Sequence, residues 1–159
     1  MRLTRLLVFT AALLSVGSPA WADATLFLGT ASAPSNRASR GFALGAGLLV
    51  VGFEFEYGDT VADPLEGAPS LRTGMGNLLI QTPVPILGLQ PYFTTGGGVY
   101  RESLGILSET NFGINNGGGV KISLIGPVRA RVDYRVFTLR GSPTENVVQR
   151  LYVALNLKF

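Results

Sequence analysis

The stretch Leu151-Tyr-Val-Ala-Leu-Asn-Leu-Lys-Phe159 alternates without a break. Leu151, Val153, Leu155, Leu157 and Phe159 fall on one face, and Tyr152, Ala154, Asn156 and Lys158 on the other. Such a period of two is a β-strand between two chemically different surroundings. Val128 to Thr138 repeats it, with Val128, Ala130, Val132, Tyr134 and Val136 opposite Arg129, Arg131, Asp133, Arg135 and Phe137. Val51, Phe53, Phe55 and Tyr57 alternate with Gly52, Glu54, Glu56 and Gly58, and Phe42, Leu44, Ala46 and Leu48 with Gly41, Ala43, Gly45 and Gly47.

Further strands are expected over residues 24–31, 70–82, 89–101 and 111–124, which makes eight. The connections alternate in length: long near 32–39, 59–69, 102–110 and 139–146, short near 49–50, 83–88 and 125–127, and they are rich in Gly, Pro, Asn, Asp and Ser. Long connections at one end and short turns at the other are the pattern of a closed antiparallel up-and-down barrel that spans a membrane. Eight strands of about ten residues fit the chain, whereas a sixteen-stranded porin does not.

The 159 residues are 47% apolar and only 14% charged, below the roughly 25% of an ordinary soluble domain. No apolar run reaches the roughly 18 residues of a membrane helix. There is no Cys, which excludes disulfides, thiolate metal sites and a lipidated N-terminal Cys, and no His, which removes the commonest general base and metal ligand. Residues 1–22 have the plan of a secretory signal peptide: Arg2 and Arg5, the apolar stretch Leu6–Val16, and Ala20-Trp-Ala22 as a small-x-small cleavage site. The division is therefore a signal peptide over 1–22 and a barrel domain over 23–159. Loss of Arg2 and Arg5 leaves a net charge of +1, too little to imply a nucleic-acid partner.

Small residues identify the inner face. An eight-stranded barrel is narrow and its interior is filled by side chains, so Gly and Ala on some strands make room for bulk from others. The face with Gly41, Ala43, Gly45 and Gly47 is therefore inward, and the aliphatic and aromatic face outward. The same parity sends Glu54, Glu56, Arg129, Arg131, Asp133, Arg135 and Arg150 into the lumen as an expected ion-pair network. An apolar exterior on a closed barrel needs lipid around it.

Three segments carry a resemblance: Pro91-Tyr-Phe-Thr-Thr-Gly-Gly-Gly-Val-Tyr-Arg101, Phe112-Gly-Ile-Asn-Asn-Gly-Gly-Gly-Val120 and Val132-Asp-Tyr-Arg-Val-Phe137. With the terminal alternation, they make the chain resemble the small eight-stranded outer-membrane barrels, the superfamily of the outer-membrane protein A transmembrane domain and the opacity proteins. The resemblance implies a bacterial outer-membrane location, outer-membrane lipid as surroundings, periplasmic termini and a monomer. It also implies that Leu151, Val153, Leu155, Leu157 and Phe159 form the signal read by the outer-membrane assembly machinery. The chain departs from the larger relatives in having no peptidoglycan-binding domain after Phe159, and its expected outer loops are short for an adhesin.

Other chemistry is weaker. Gly96–Gly98 and Gly117–Gly119 lack the Lys-Ser/Thr and the strand-to-helix context of a phosphate cradle. Asp59, Asp63 and Glu66 share a loop but not the spacing of a calcium site, and Pro64 interrupts them. Glu54 and Glu56 point the same way at i and i+2, as an acid/base pair would, but facing arginines would hold both ionised. No cofactor, metal site or enzymatic activity is expected. The expected role is structural: a scaffold with a lumen closed by polar and charged side chains and loops for weak interactions. The alternatives are a narrow channel for small solutes and, behind it, a soluble periplasmic ligand-binding barrel. The expected mature N-terminus is Asp23; N-terminal sequencing of envelope material checks it, and an intact Met1 in the assembled protein would refute it.

Overall fold

The computed structural model describes residues 21–159. Eight strands follow in chain order: β1 (Trp21–Ser32), β2 (Arg37–Leu48), β3 (Val51–Thr60), β4 (Ser70–Gln81), β5 (Leu89–Leu104), β6 (Leu107–Ile125), β7 (Val128–Leu139) and β8 (Val147–Lys158). Each pairs antiparallel with its sequence neighbours, and β1 pairs with β8, which closes the barrel. Closure gives every strand two partners, the condition for a sheet that meets hydrocarbon rather than water.

The stagger follows from the register. From Leu28 the paired row runs through Arg40, Asp59, Arg72 and Arg101 to Thr110 on β6. In the other direction it runs through Val153 and Val132 to Val120 on the same strand. The two paths meet β6 ten residues apart, and this stagger tilts the strands by about 35–45° to the barrel axis. Trp21 and Phe159 share one end of the barrel with the turns at Leu49–Val50, 82–88 and Gly126–Pro127, here called the turn end. The connections at 33–36, 61–69, 105–106 and 140–146 form the loop end.

Two elements differ from expectation. The connection over 102–110 is not a long loop: β5 and β6 run on, paired as far as Leu104↔Leu107, and reverse through Gly105 and Ile106. Gly105 has φ +60°, a left-handed conformation that glycine adopts without steric cost. The polar residues of this segment suggested a loop, but a hairpin that rises out of the membrane into water can be polar on both faces. The second difference is at the start of β1, which includes Trp21 and Ala22. Ala22 exchanges backbone hydrogen bonds with Phe159 at 2.9 and 3.0 Å, so the expected cleavage point falls inside β1. The remainder of the expected signal peptide, residues 1–20, lies outside the described residues.

The faces are inverted relative to a soluble barrel. Phe42, Leu44, Phe53, Phe55, Phe93, Leu151, Val153 and Leu155 face out, and Leu26 is 71% exposed. Gly52, Glu54, Glu56, Arg131, Asp133, Arg135 and Arg150 face in. Among the described residues no helix is long and apolar enough to cross a membrane. Val132→Arg puts a charge on the outward face of β7, and is expected to cost about 2–4 kcal/mol of folding free energy in lipid vesicles. Denaturant titration of the vesicle-inserted protein measures it; an unchanged midpoint would mean that the face is not in lipid.

Candidate functional site

The lumen is filled in tiers. At mid-height, β3 contributes Glu54 and Glu56, β7 contributes Arg131, Asp133 and Arg135, and β8 contributes Arg150. Arg131 binds Glu54 through Nη1 and lies 2.7 Å from Asp133 through Nη2. Arg135 reaches three carboxylates: Glu54 at 2.7 Å, Glu56 at 3.0 Å and Asp133 at 3.0 Å. Arg150 Nη1 lies 3.2 Å from Glu56. The three arginines are 0% exposed, and three carboxylates face them, so the cluster is neutral as a whole. A buried guanidinium or carboxylate is tolerable only when paired and hydrogen-bonded, and here every one is paired.

Tyrosines complete the network. The Tyr92 hydroxyl donates to Asp133 and accepts from Arg131 Nε at 2.6 Å; the Tyr152 hydroxyl donates to Glu56 at 3.0 Å. Tyr152 stacks on Phe27 with ring centroids 4.3 Å apart. The Arg131 guanidinium lies 4.9 Å from the Tyr92 ring centroid, and that of Arg150 lies 4.5 Å from Phe137. The glycines opposite are what admit these side chains. A Cβ on Gly58 would sit 2.5 Å from Arg150 Nη1, and one on Gly117 would sit 2.9 Å from the Cα and Cγ of Arg135. The Gly117–Gly119 run is thus a packing device.

Above this tier, toward the loop end, Ala31, Leu71, Met75, Tyr100, Phe137, Leu139 and Val148 form a buried apolar layer. Beyond it the Arg37 guanidinium donates to the carbonyls of Pro69 and Ala33, and Glu102 accepts from Thr144 N at 2.9 Å. Below, toward the turn end, the lumen opens into a cavity of about 330 Å³ whose lining includes Asp23, Gln81, Gln90, Lys121 and Arg129. Lys121 and Asp23 pair there at 3.2 Å.

Arg129 is the correction to the expected network. It faces inward, but its Nη1 donates to Gln90 Oε1 at 3.0 Å, and among the described residues it pairs with no carboxylate. One inward step along β7 separates it from Arg131, about 6.6 Å, which drops it below Glu54 and into the cavity. The sequence leaves Tyr92 as an aromatic of either an interface girdle or the lumen, and does not reach the part played by the Tyr152 hydroxyl or the Asp23–Lys121 pair. Tyr152 was legible by parity, opposite Leu151 and Val153. The parity of Tyr92 was masked by the glycine run that follows it. The loop carboxylates do not converge: Asp59 faces outward to Arg72 at 3.2 Å, and Asp63 accepts from Leu65 N at 3.2 Å and Glu66 N at 3.4 Å within its own turn.

No family model matches the sequence, and no curated protein matches it. Solved structures do match. The chain is similar to Neisserial surface protein A, with a TM-score of 0.69 at 18% identity, over 88% of this chain and 97% of that one. It is similar to the N-terminal β-barrel domain of Pseudomonas aeruginosa OprF, with a TM-score of 0.65 at 15% identity, over 87% and 97%. This is the fold of the small eight-stranded outer-membrane barrels. The outer membrane enzyme PagL shares it too, with a TM-score of 0.56 at 12% identity, over 85% and 98% of the two chains, so the fold accommodates an enzyme as well as a surface protein.

Removing one member of the central cluster leaves its partners buried and unpaired. Glu54→Ala and Arg131→Ala are each expected to destabilise the barrel by about 3–5 kcal/mol. The double variant should lose clearly less than the two together, because no stranded charge remains of that pair. Unfolding titrations of all three in one lipid check this, and strict additivity would dissolve the proposed coupling.

Proposed function

We propose that this protein is a non-conducting structural barrel of the bacterial outer membrane, with its turn end and termini in the periplasm. Its loops are available for weak interactions at the cell surface, and its role is passive rather than catalytic. The observation that carries the reading is the two-tier filling of the lumen. The neutral cluster of three arginines and three carboxylates fills the lumen at mid-height, and toward the loop end the buried apolar cluster packs beside Ser39, Thr60 and Thr73, each 1% exposed or less. An ion crossing this section would shed its hydration against close-packed apolar side chains and a few hydroxyl groups, a large cost. The channel reading requires one of these tiers to move.

The outward row Leu151, Val153, Leu155, Leu157 and Phe159 supports a role for β8 as the segment recognised by the assembly machinery. It is a continuous apolar edge until β1 pairs with it. Both neighbours of every strand come from the same chain, which supports a monomer in outer-membrane lipid. A signal peptide over 1–22 provides the route of export. The absence of His and Cys, and the engagement of every central carboxylate with arginine, leave no free acid/base pair in this tier and support a non-enzymatic role. Planar bilayer recordings test the central claim. The wild-type protein is expected to give no conductance steps, whereas Phe137→Ala combined with Arg150→Ala, which opens both tiers, is expected to give them. Steady conductance from the wild type would overturn the plug.

A further inference from the structure

The outward face carries one feature that an apolar belt does not explain. Arg40, Asp59, Arg72 and Arg101 lie side by side on β2, β3, β4 and β5 as direct register partners. They occupy the loop-end margin of the belt, where the tilt of the strands carries the row progressively toward the loops. Asp59 holds two of the arginines, with Arg72 Nε at 3.2 Å and Arg40 Nε at 3.7 Å. Their guanidinium groups nevertheless stay open to the surroundings, with side-chain exposures of 71% for Arg40 and 63% for Arg72. Arg101 is exposed and takes part in no ion pair among the described residues. Three cations against one anion leave the row at +2, and Arg72 and Arg101 are like charges directly opposite each other on neighbouring strands, an arrangement that repels unless an anion joins them.

Directly below the row, the barrel wall is hollowed into an apolar groove of about 910 Å³. Leu26, Leu28, Phe42, Tyr57, Val153 and Leu155 line it, and Arg40 and Arg72 stand at its rim.

We propose that the arginine row and this groove form a docking site for a phosphate-bearing lipid of the loop-side leaflet. Its phosphate bridges Arg72 and Arg101, and an acyl chain lies in the groove. The proposal rests on the membrane-spanning reading above. A guanidinium offers a planar fork of donors that matches phosphate oxygens, and the phosphate supplies the anion that the Arg72–Arg101 pair lacks. Asp59 does not compete for that position, since it lies on the far side of Arg72, and it keeps Arg40 and Arg72 aligned. The charge complementarity of the rim and the apolar character of the groove select an amphiphile over a free anion.

Native mass spectrometry of the protein released from phosphatidylcholine nanodiscs doped with phosphatidic acid tests this. The expected result is retention of phosphatidic acid over phosphatidylcholine by at least about tenfold, the scale of a charge-assisted hydrogen bond. R72Q with R101Q should abolish that preference. R140Q, an exposed loop arginine outside the row, should leave it intact. Where the double glutamine variant fails to insert, R72K and R101K preserve charge but lose the fork, and each should lower the preference. Equal retention by wild type and double variant, an equal loss in R140Q, or displacement of the lipid by inorganic phosphate would each overturn the site. Folding into pure phosphatidylcholine, read in the same samples, reports separately on the membrane-spanning barrel.

Discussion

Six charges share a space with no access to bulk water, and the structure is organised around keeping them neutral together. Glu54 and Glu56 come from β3, Arg131, Asp133 and Arg135 from β7, and Arg150 from β8. No two adjacent hairpins contain the full set, so the charges are satisfied only when the barrel is closed. The cost of an unpaired buried charge thereby becomes a penalty on every partly assembled state. Glycines at 58 and 117 are part of the same constraint: a Cβ on Gly58 would press on the Arg150 guanidinium, and one on Gly117 would meet the Tyr134 carbonyl and the base of the Arg135 side chain.

The membrane imposes the complementary constraint from outside. Backbone groups in hydrocarbon must all be hydrogen-bonded within the protein, which demands closure. Closure of eight strands with a ten-residue stagger leaves an interior too narrow for an empty pore, so side chains must fill it. Charge inside and hydrocarbon outside are therefore two outcomes of one geometry. A period-two sequence serves both because consecutive residues alternate between them.

This explains what could be read from the sequence. Leu151 to Phe159 and Val128 to Thr138 fix strand, face and parity at once, since each residue must suit lipid or lumen. The small face of Gly41 to Gly47 decides which is which. The argument weakens where that pressure is absent. Gly105 to Thr110 stand outside the belt, where water surrounds both faces of the hairpin, so composition there says nothing about strand or loop. Parity also gives the face of a residue but not its height. Arg129 and Arg131 are indistinguishable by pattern, yet one sits in the cavity at the turn end and the other in the central cluster. Height depends on stagger, which is a property of the closed ring rather than of any segment. In the glycine run of β5 the side chains that would mark parity are missing, and Tyr92 was obscured for that reason.

The extended β5–β6 hairpin makes local stability uneven along the barrel. β6 gains its β7 partner only from Gly113 onward, so Leu107 to Asn111 are held on one side by β5 and, on the other, chiefly by Glu109 accepting from Ser142 N at 2.7 Å. Below that level each strand is paired on both sides. Above it, the amides of a two-stranded ribbon face water. Opening there requires no disturbance of the charged cluster, so the tip can fray and re-form many times while the ring beneath stays shut. The protein thus places a labile ribbon at the far end from Trp21 and Phe159, and separates it by an apolar cluster from the part that cannot open without unfolding the whole.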